Sequence, residues 1–123
     1  MKKILLMGSS GFLGKNVFNK IRDNTVYKIS GKEQVDLTDL SELRDFTSEL
    51  EFDYIINCAA FVGGIAYGYK YPADMLAINS RIANNVYQIA KEKSIKMLIN
   101  PIPNCVYPGR LSTYKEEDLL EGP

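Results

Sequence analysis

The order of elements predicts an α/β fold, a doubly wound parallel sheet of about four strands. Four times the chain repeats one phrase: a short apolar run, a polar or glycine turn, then a helical pattern. The apolar runs are unbroken rather than alternating, which marks parallel strands covered by helices on both faces. Right-handed crossovers between such strands wind the sheet in both directions.

Lys3 to Met7 is a continuous apolar run of strand length. Phe12 to Arg22 follows as a helix, with Phe12, Leu13, Val17, Phe18 and Ile21 at helical spacing. Thr25 to Ser30 is a second, weaker strand. Asp39 to Leu50 is helical, with Leu40, Leu43, Phe46 and Leu50 along one stripe. Thr38 or Asp39 caps its start, and Glu42 is placed to complete a capping box with Asp39. Asp53 to Ala60 is the third strand. Pro72 to Lys93 is the longest helix, opened by a proline, which a first turn tolerates. Its buried stripe is expected at Ala73, Leu76, Ala83, Val86, Tyr87 and Ala90. Lys96 to Asn100 is the fourth strand. From Pro101 onward the periodicity stops, and prolines 101, 103, 108 and 123 crowd the stretch. Residues 1–101 therefore read as one domain and 102–123 as a loop tail.

Composition narrows the function. Fifteen Lys and Arg balance fifteen Asp and Glu across 123 residues, which argues against nucleic-acid binding. The absence of histidine excludes a Ser-His-Asp or Cys-His site within these residues, and any His-ligated metal. Cys58 and Cys105 lie too far apart for a CxxC motif and read as reduced thiols of a cytoplasmic protein. The apolar run after Met1-Lys2-Lys3 breaks at Gly8, short of a secretory core or a membrane span. No metal and no membrane partner are expected.

Gly8-Ser9-Ser10-Gly11-Phe12-Leu13-Gly14 stands between the first strand and the first helix. There glycines let a backbone approach a pyrophosphate, and the helix N-terminus offers unpaired N–H groups. The spacing is GxxGxxG, one residue longer than GxGxxG, and its place in a strand–turn–helix favours a dinucleotide over a plain turn. This makes the fold Rossmann-like. A full dinucleotide fold has about six strands, so four units predict an incomplete sheet, the front of a longer protein. The outer edge of the fourth strand, at Met97 to Ile99, is then expected unpaired, a template for self-association. NAD calls for an acid at the end of the second strand. The strand instead ends Tyr27-Lys28-Ile29-Ser30-Gly31-Lys32, and Lys28 and Lys32 could offset a 2′-phosphate, which favours NADP over NAD. The alternative, that both lysines are only solvated, stays open.

With Asp36-Leu37-Thr38-Asp39 and Asn57-Cys58-Ala59-Ala60, the loop resembles the extended short-chain dehydrogenase/reductase family. Phe61-Val62-Gly63-Gly64-Ile65, Tyr71-Pro72-Ala73-Asp74, Asn79, and Asn104-Cys105-Val106-Tyr107-Pro108 narrow it. They resemble the GDP-L-fucose synthase branch, the GDP-4-keto-6-deoxymannose epimerase/reductases, as does the ending Glu116 to Pro123. The resemblance implies an NADP-dependent oxidoreductase and isomerase of nucleotide-sugar metabolism, acting on a nucleotide-linked 4-keto-6-deoxy sugar and forming a homodimer. It assigns Cys105 as an epimerase acid/base. Gly8 to Gly14, Lys32, Asp36, Leu37 and Asn57 to Ala60 become cofactor contacts, and Val62, Gly63 and Gly64 a backbone segment near the sugar.

Three departures follow. The family's catalytic serine, two residues before the cysteine, falls on Pro103. Its YxxxK and its histidine have no counterpart in these 123 residues. The arginine of some relatives between the first two glycines is Ser10. The chain alone is thus expected to be inactive. A non-catalytic nucleotide-binding or interaction module remains an alternative, as does a related 4-keto reductase or 4,6-dehydratase. Tyr87-Gln88-Ile89-Ala90-Lys91 spells YxxxK, yet it sits before the fourth strand, and Tyr87 is expected to pack in the core. Cys58 reads as core. Tyr67, Tyr69 and Tyr71 line a sugar site or cover the sheet's edge, with neither favoured. Glu116-Glu117-Asp118 reads as solvated.

Overall fold

The computed structural model describes residues 1–122, so Pro123 of the expected tail lies outside the described residues. Four strands form one parallel sheet: β1 (Lys3–Met7), β2 (Thr25–Ile29), β3 (Tyr54–Asn57) and β4 (Met97–Ile99), in the order β2-β1-β3-β4. Leu5 stands beside Tyr27 on one side and Ile55 on the other, and Ile55 stands beside Leu98. Helix α1 (Phe12–Ile21) connects β1 to β2, and α2 (Leu40–Thr47) connects β2 to β3. Helices α3 (Ile65–Lys70) and α4 (Pro72–Glu92) lead to β4. The six residues of α3 are too few to show a periodicity, and sequence reading left them out.

Strand side chains alternate between faces, and the two faces differ. Leu5, Met7, Ile29 and Ile55 meet Leu43 of α2 and Ile82, Val86 and Ile89 of α4 in one buried cluster. Phe52, Val35 and Leu37 belong to the same cluster. On the other face Ile4 and Leu6 are buried on the side of α1, but Met97 and Ile99 of β4 are 55% and 47% exposed. Coverage of both faces, expected from unbroken apolar strands, therefore holds at β1 and fails at β4. The outer edge of β4 pairs with no strand among the described residues.

Three local expectations are corrected. The buried stripe of α4 is Ile82, Val86 and Ile89, while Leu76 and Tyr87 are 72% and 54% exposed and Ala73 is exposed. The helix turns its isoleucines to the sheet, so Tyr87 is a surface residue and not core. Phe12 and Leu13 of α1 are exposed, because the helix meets the sheet through Gly14 and the half-buried Val17, Phe18 and Ile21. Asp39 does cap α2, its carboxylate accepting from the Ser41 and Glu42 amides at 2.9 and 3.3 Å. Glu42 does not close a box with it, since its carboxylate accepts from the Asp36 amide at 2.8 Å.

Arg44 of α2 and Glu92 of α4 form a two-point ion pair, at 2.7 and 3.1 Å. The Asn85 side chain of α4 donates to the Leu37 carbonyl at 2.8 Å. Beyond β4 lie two 3-10 turns, Asn104–Val106 and Glu116–Asp118. Tyr107 stacks on Tyr114 there with centroids 5.0 Å apart, and Pro108 is fully buried.

Candidate functional site

The connection from β1 runs to β2 on one side, and β3 lies on the other. That reversal leaves a crevice at the C-terminal ends of β1 and β3, where open α/β sheets bind ligands. A cleft of about 500 Å³ opens there. Its floor is Gly8, Ser10 and Gly11. One wall is Ile29 to Lys32 with Val35 to Thr38. The other is Cys58 to Phe61, with Ile78, Arg81 and Ile82 of α4.

The three loop glycines answer to different causes. Gly8 has φ +73°, and a Cβ there would lie 2.6 Å from the Cys58 carbonyl carbon. Its amide and that of Ser9 donate to the Ile29 carbonyl at 2.9 and 3.0 Å, and the Cys58 amide donates to the Met7 carbonyl at 2.9 Å. The loop is thereby pinned to β2 as it passes the end of β3. Gly14 is buried in α1, and a Cβ there would stand 1.9 Å from the Gly8 carbonyl oxygen. Gly11 is different. Its nearest neighbour would be 3.6 Å from a Cβ, an ordinary contact, and its φ of −73° suits any residue. Nothing in the protein requires glycine there, and Gly11 faces the cleft.

Helix α1 starts at Gly11 with no side-chain cap and no acid in its first turn. The first amides of a helix have no intrahelical partner and attract an anion. The loop thus combines open space with unpaired N–H donors.

The walls are held by side-chain amides. Asn57 is 7% exposed; its Oδ1 accepts from the Ala59 amide at 3.1 Å, and its Nδ2 donates to Asn100 Oδ1 at 2.9 Å. Asn79 of α4 grips Phe61, accepting from its amide at 2.8 Å and donating to its carbonyl at 2.9 Å. The same Nδ2 donates to the Met75 carbonyl at 2.8 Å. The Phe61 ring meets Tyr67 edge-on at 5.9 Å, and Tyr67 lies 4.8 Å from Tyr71. A Cβ at Gly63 would strike the Tyr67 ring at 2.7 Å, so glycine lets α3 close down here.

Among the described residues, Asp36 is the one carboxylate lining the cleft. Its Oδ1 accepts from the Thr38 hydroxyl at 2.7 Å and the Thr38 amide at 2.9 Å, with Lys32 Nζ 3.8 Å from Oδ2. The Thr38 hydroxyl bond first, then its amide, then the Lys32 charge hold this carboxyl below its ordinary range. Burial pushes the Cys58 thiol up, keeping it protonated at neutral pH.

Of the residues singled out from sequence, Gly8, Ser10, Gly11, Lys32, Asp36, Leu37, Cys58, Ala59 and Ala60 line this one cleft. Ser9, Gly14 and Asn57 are buried behind it. Phe12, Leu13, Val62, Gly63, Gly64 and Cys105 are not among its lining residues, and Cys105 is exposed on the 3-10 turn. Lys28 also lies outside the cleft, its ammonium 4.3 Å from the Phe18 ring centroid. The Ser10 hydroxyl donates to the Ser30 carbonyl. Sequence reading gave no role to Asn79 or Arg81. Asn79 entered only through the resemblance, and nothing in its residue type separates it from Asn84 and Asn85 of the same helix. Among the described residues no cluster of His, Cys, Asp and Glu could hold a metal ion, and no helix is long and apolar enough to cross a membrane.

A profile of the NAD dependent epimerase/dehydratase family matches residues 4–123. The chain is 32% identical over 124 residues to a putative GDP-L-fucose synthase 2 of Arabidopsis thaliana, covering 98% of this chain and 38% of that protein. It is 31% identical over 120 residues to the GDP-L-colitose synthase of Yersinia pseudotuberculosis, covering 96% and 39%. A solved GDP-L-fucose synthetase from Naegleria fowleri bound to NADP superposes with a TM-score of 0.81 at 25% identity, covering 99% and 37%. The chain thus spans less than two fifths of these relatives.

Proposed function

The chain belongs to the NAD dependent epimerase/dehydratase family, and from that premise we propose that it is the dinucleotide-binding part of an NADP-dependent epimerase/reductase. The substrate of the longer protein is a nucleotide-linked 4-keto-6-deoxy sugar, in keeping with relatives named for GDP-L-fucose and GDP-L-colitose synthesis. Residues 1–101 hold the cofactor, and residues 102–123 lead toward the sugar site of a homodimeric, cytoplasmic enzyme.

The observation that supports the reading most is Gly11. Of three loop glycines, it alone has no steric cause within the protein, and it faces the cleft. A pyrophosphate crossing Gly11 toward the open α1 amides supplies that cause. When bound, the nicotinamide supplies hydride to a carbonyl carbon. The chain's own residues orient it: Asn57 and Asn79 fix the Ala59–Phe61 wall, and Asp36 and Leu37 border the adenosine half. Lys32 offsets a 2′-phosphate, whereas Lys28, engaged with Phe18, does not. Cys105 is the acid/base of epimerisation in the longer protein, with Val62, Gly63 and Gly64 beside the sugar.

One observation favours a second reading, a nucleotide-binding module without chemistry. Pro103 stands where the family's serine is expected and offers neither hydroxyl nor N–H.

Calorimetric titration of the chain with NADPH and NADH tests the proposal. We expect NADPH to bind more tightly, and Lys32→Gln to bring the two affinities together. Failure to bind either dinucleotide would remove the reading; equal affinities in the unaltered chain would remove the NADP preference.

A further inference from the structure

We propose that Arg81 recognises the adenine base of the cofactor, its guanidinium lying along one face of the ring. The inference rests on the dinucleotide reading above and assigns a residue to the base itself.

Helix α4 contributes three side chains to the cleft, Ile78, Arg81 and Ile82. Val35 and Leu37 also line it, 3% and 8% exposed. These aliphatic side chains suit a flat heteroaromatic ring better than a phosphate, which needs converging donors. Arg81 is the only charged group α4 places there. The other α4-facing arginine, Arg44, is satisfied by Glu92 at 2.7 Å. No acidic side chain pairs with Arg81 among the described residues. The cleft's one carboxylate, Asp36, is already held by Thr38 and Lys32.

A guanidinium without an anionic partner, beside apolar walls, is suited to stacking on an aromatic face. It is planar, more weakly hydrated than an ammonium, and attracted to π-systems. Lys32, the other cation lining the cleft, lies three residues past the end of β2, where the reading above places the 2′-phosphate. The two cations therefore divide the adenosine half: Lys32 takes the phosphate and Arg81 the base.

The division gives a test with separable outcomes. Arg81 is exposed, so Arg81→Leu and Arg81→Lys are expected to fold, which thermal melting checks. Each is titrated with NADP and with NAD. Loss of a cation–π contact corresponds to about fivefold in affinity. We expect Arg81→Leu to weaken NADP and NAD binding by that same factor, leaving their ratio unchanged. Arg81→Lys should lose less. A dinucleotide carrying the fluorescent 1,N6-ethenoadenine base should change its emission on binding the unaltered chain and change it less with Arg81→Leu. A loss confined to NADP would overturn the assignment, because it would place the guanidinium on the 2′-phosphate. Undiminished affinity for both would overturn it too. If the unaltered chain binds neither dinucleotide, the dinucleotide reading fails and this inference falls with it.

Discussion

The glycine loop and the turn bearing Cys105 both hold residues assigned from sequence to function, and they are built very differently. At the loop, backbone touches backbone: Gly8 passes against Cys58, Gly14 against Gly8, and amides pin the path to Ile29. At the turn, Cys105 is exposed on three residues of 3-10 helix, beyond which Tyr107 stacks on Tyr114. A binding surface made of main chain has to be set by close packing. A thiol acting as an acid/base needs neighbours that tune and orient it, and Cys105 is not among the residues lining the cleft. Main-chain packing sets the loop, and no such packing sets the turn at Cys105.

The sharpest way to break the comparison is to change one small side chain at each region. Gly14→Ala would drive a Cβ into the Gly8 carbonyl oxygen, where both neighbours are backbone. We expect a loss of about 3 kcal/mol or more, a shift in Tm of about 10 °C or more. Cys105→Val, at an exposed site, should stay within about 0.5 kcal/mol. Thermal melting of both reads the contrast, and equal shifts would mean the loop is no tighter than the tail.

Gly11→Val sharpens it further, since the residue has room within the protein. Here stability should change little while NADPH affinity falls below detection, because the branched side chain would fill the pyrophosphate path. A variant that melted early would place Gly11 with Gly8 and Gly14 as a packing residue.

Asn79 tests whether the wall matters as much as the floor. Asn79→Asp keeps the acceptor for the Phe61 amide but loses the donor to the Phe61 and Met75 carbonyls. Stability should drop by about 1–3 kcal/mol, and NADPH should bind about tenfold more weakly at neutral pH. Protonating the new carboxyl restores one donor, so affinity relative to the unaltered chain should recover as pH falls toward 4. If affinity is unchanged while stability falls, the clamp only ties the loop to α4.

Much of this was legible in the sequence, and for a physical reason. Unbroken apolar runs such as Lys3–Met7, and glycines at a strand–helix junction, report main-chain demands that few residues can meet. Gly8, Ser10 and Gly11 came from such signals, Lys32 from its charge after the second strand, and Asp36, Leu37 and Cys58 to Ala60 only from the family resemblance. The orientation of amphipathic helices was less legible. Leu76, Ala83 and Tyr87 recur at helical spacing, and so do Ile82, Val86 and Ile89; the second set took the buried side, and Ala73, Leu76 and Tyr87 were left exposed. Spacing defines a stripe but not which of two overlapping stripes meets the sheet. Arg81 was missed, and Asn79 was quoted without a role, because what each meets depends on loops brought up from elsewhere in the chain.

The smallest expected effect concerns the pair that ties α4, and with it the cleft wall, to α2. Hydrogen bonds from Arg44 first, then from Gln88, lower the Glu92 carboxyl from its ordinary 4.5 to about 2. A carboxyl more acidic in the folded chain than in the unfolded one favours folding wherever it is ionised. The contribution is whole above about pH 4.5 and is lost as pH falls toward 2. Both side chains are partly exposed, at 48% and 32%, so solvent screens the pair and the effect is modest. Glu92→Gln should therefore melt slightly earlier than the unaltered chain at pH 7. The difference should shrink below pH 4.5 and vanish near pH 2, while Cys105→Val shows no such pH dependence. Melting curves at pH 7, 5, 4 and 3 measure it. A gap that stayed constant across this range would show that the pair holds α4 through shape and not through charge.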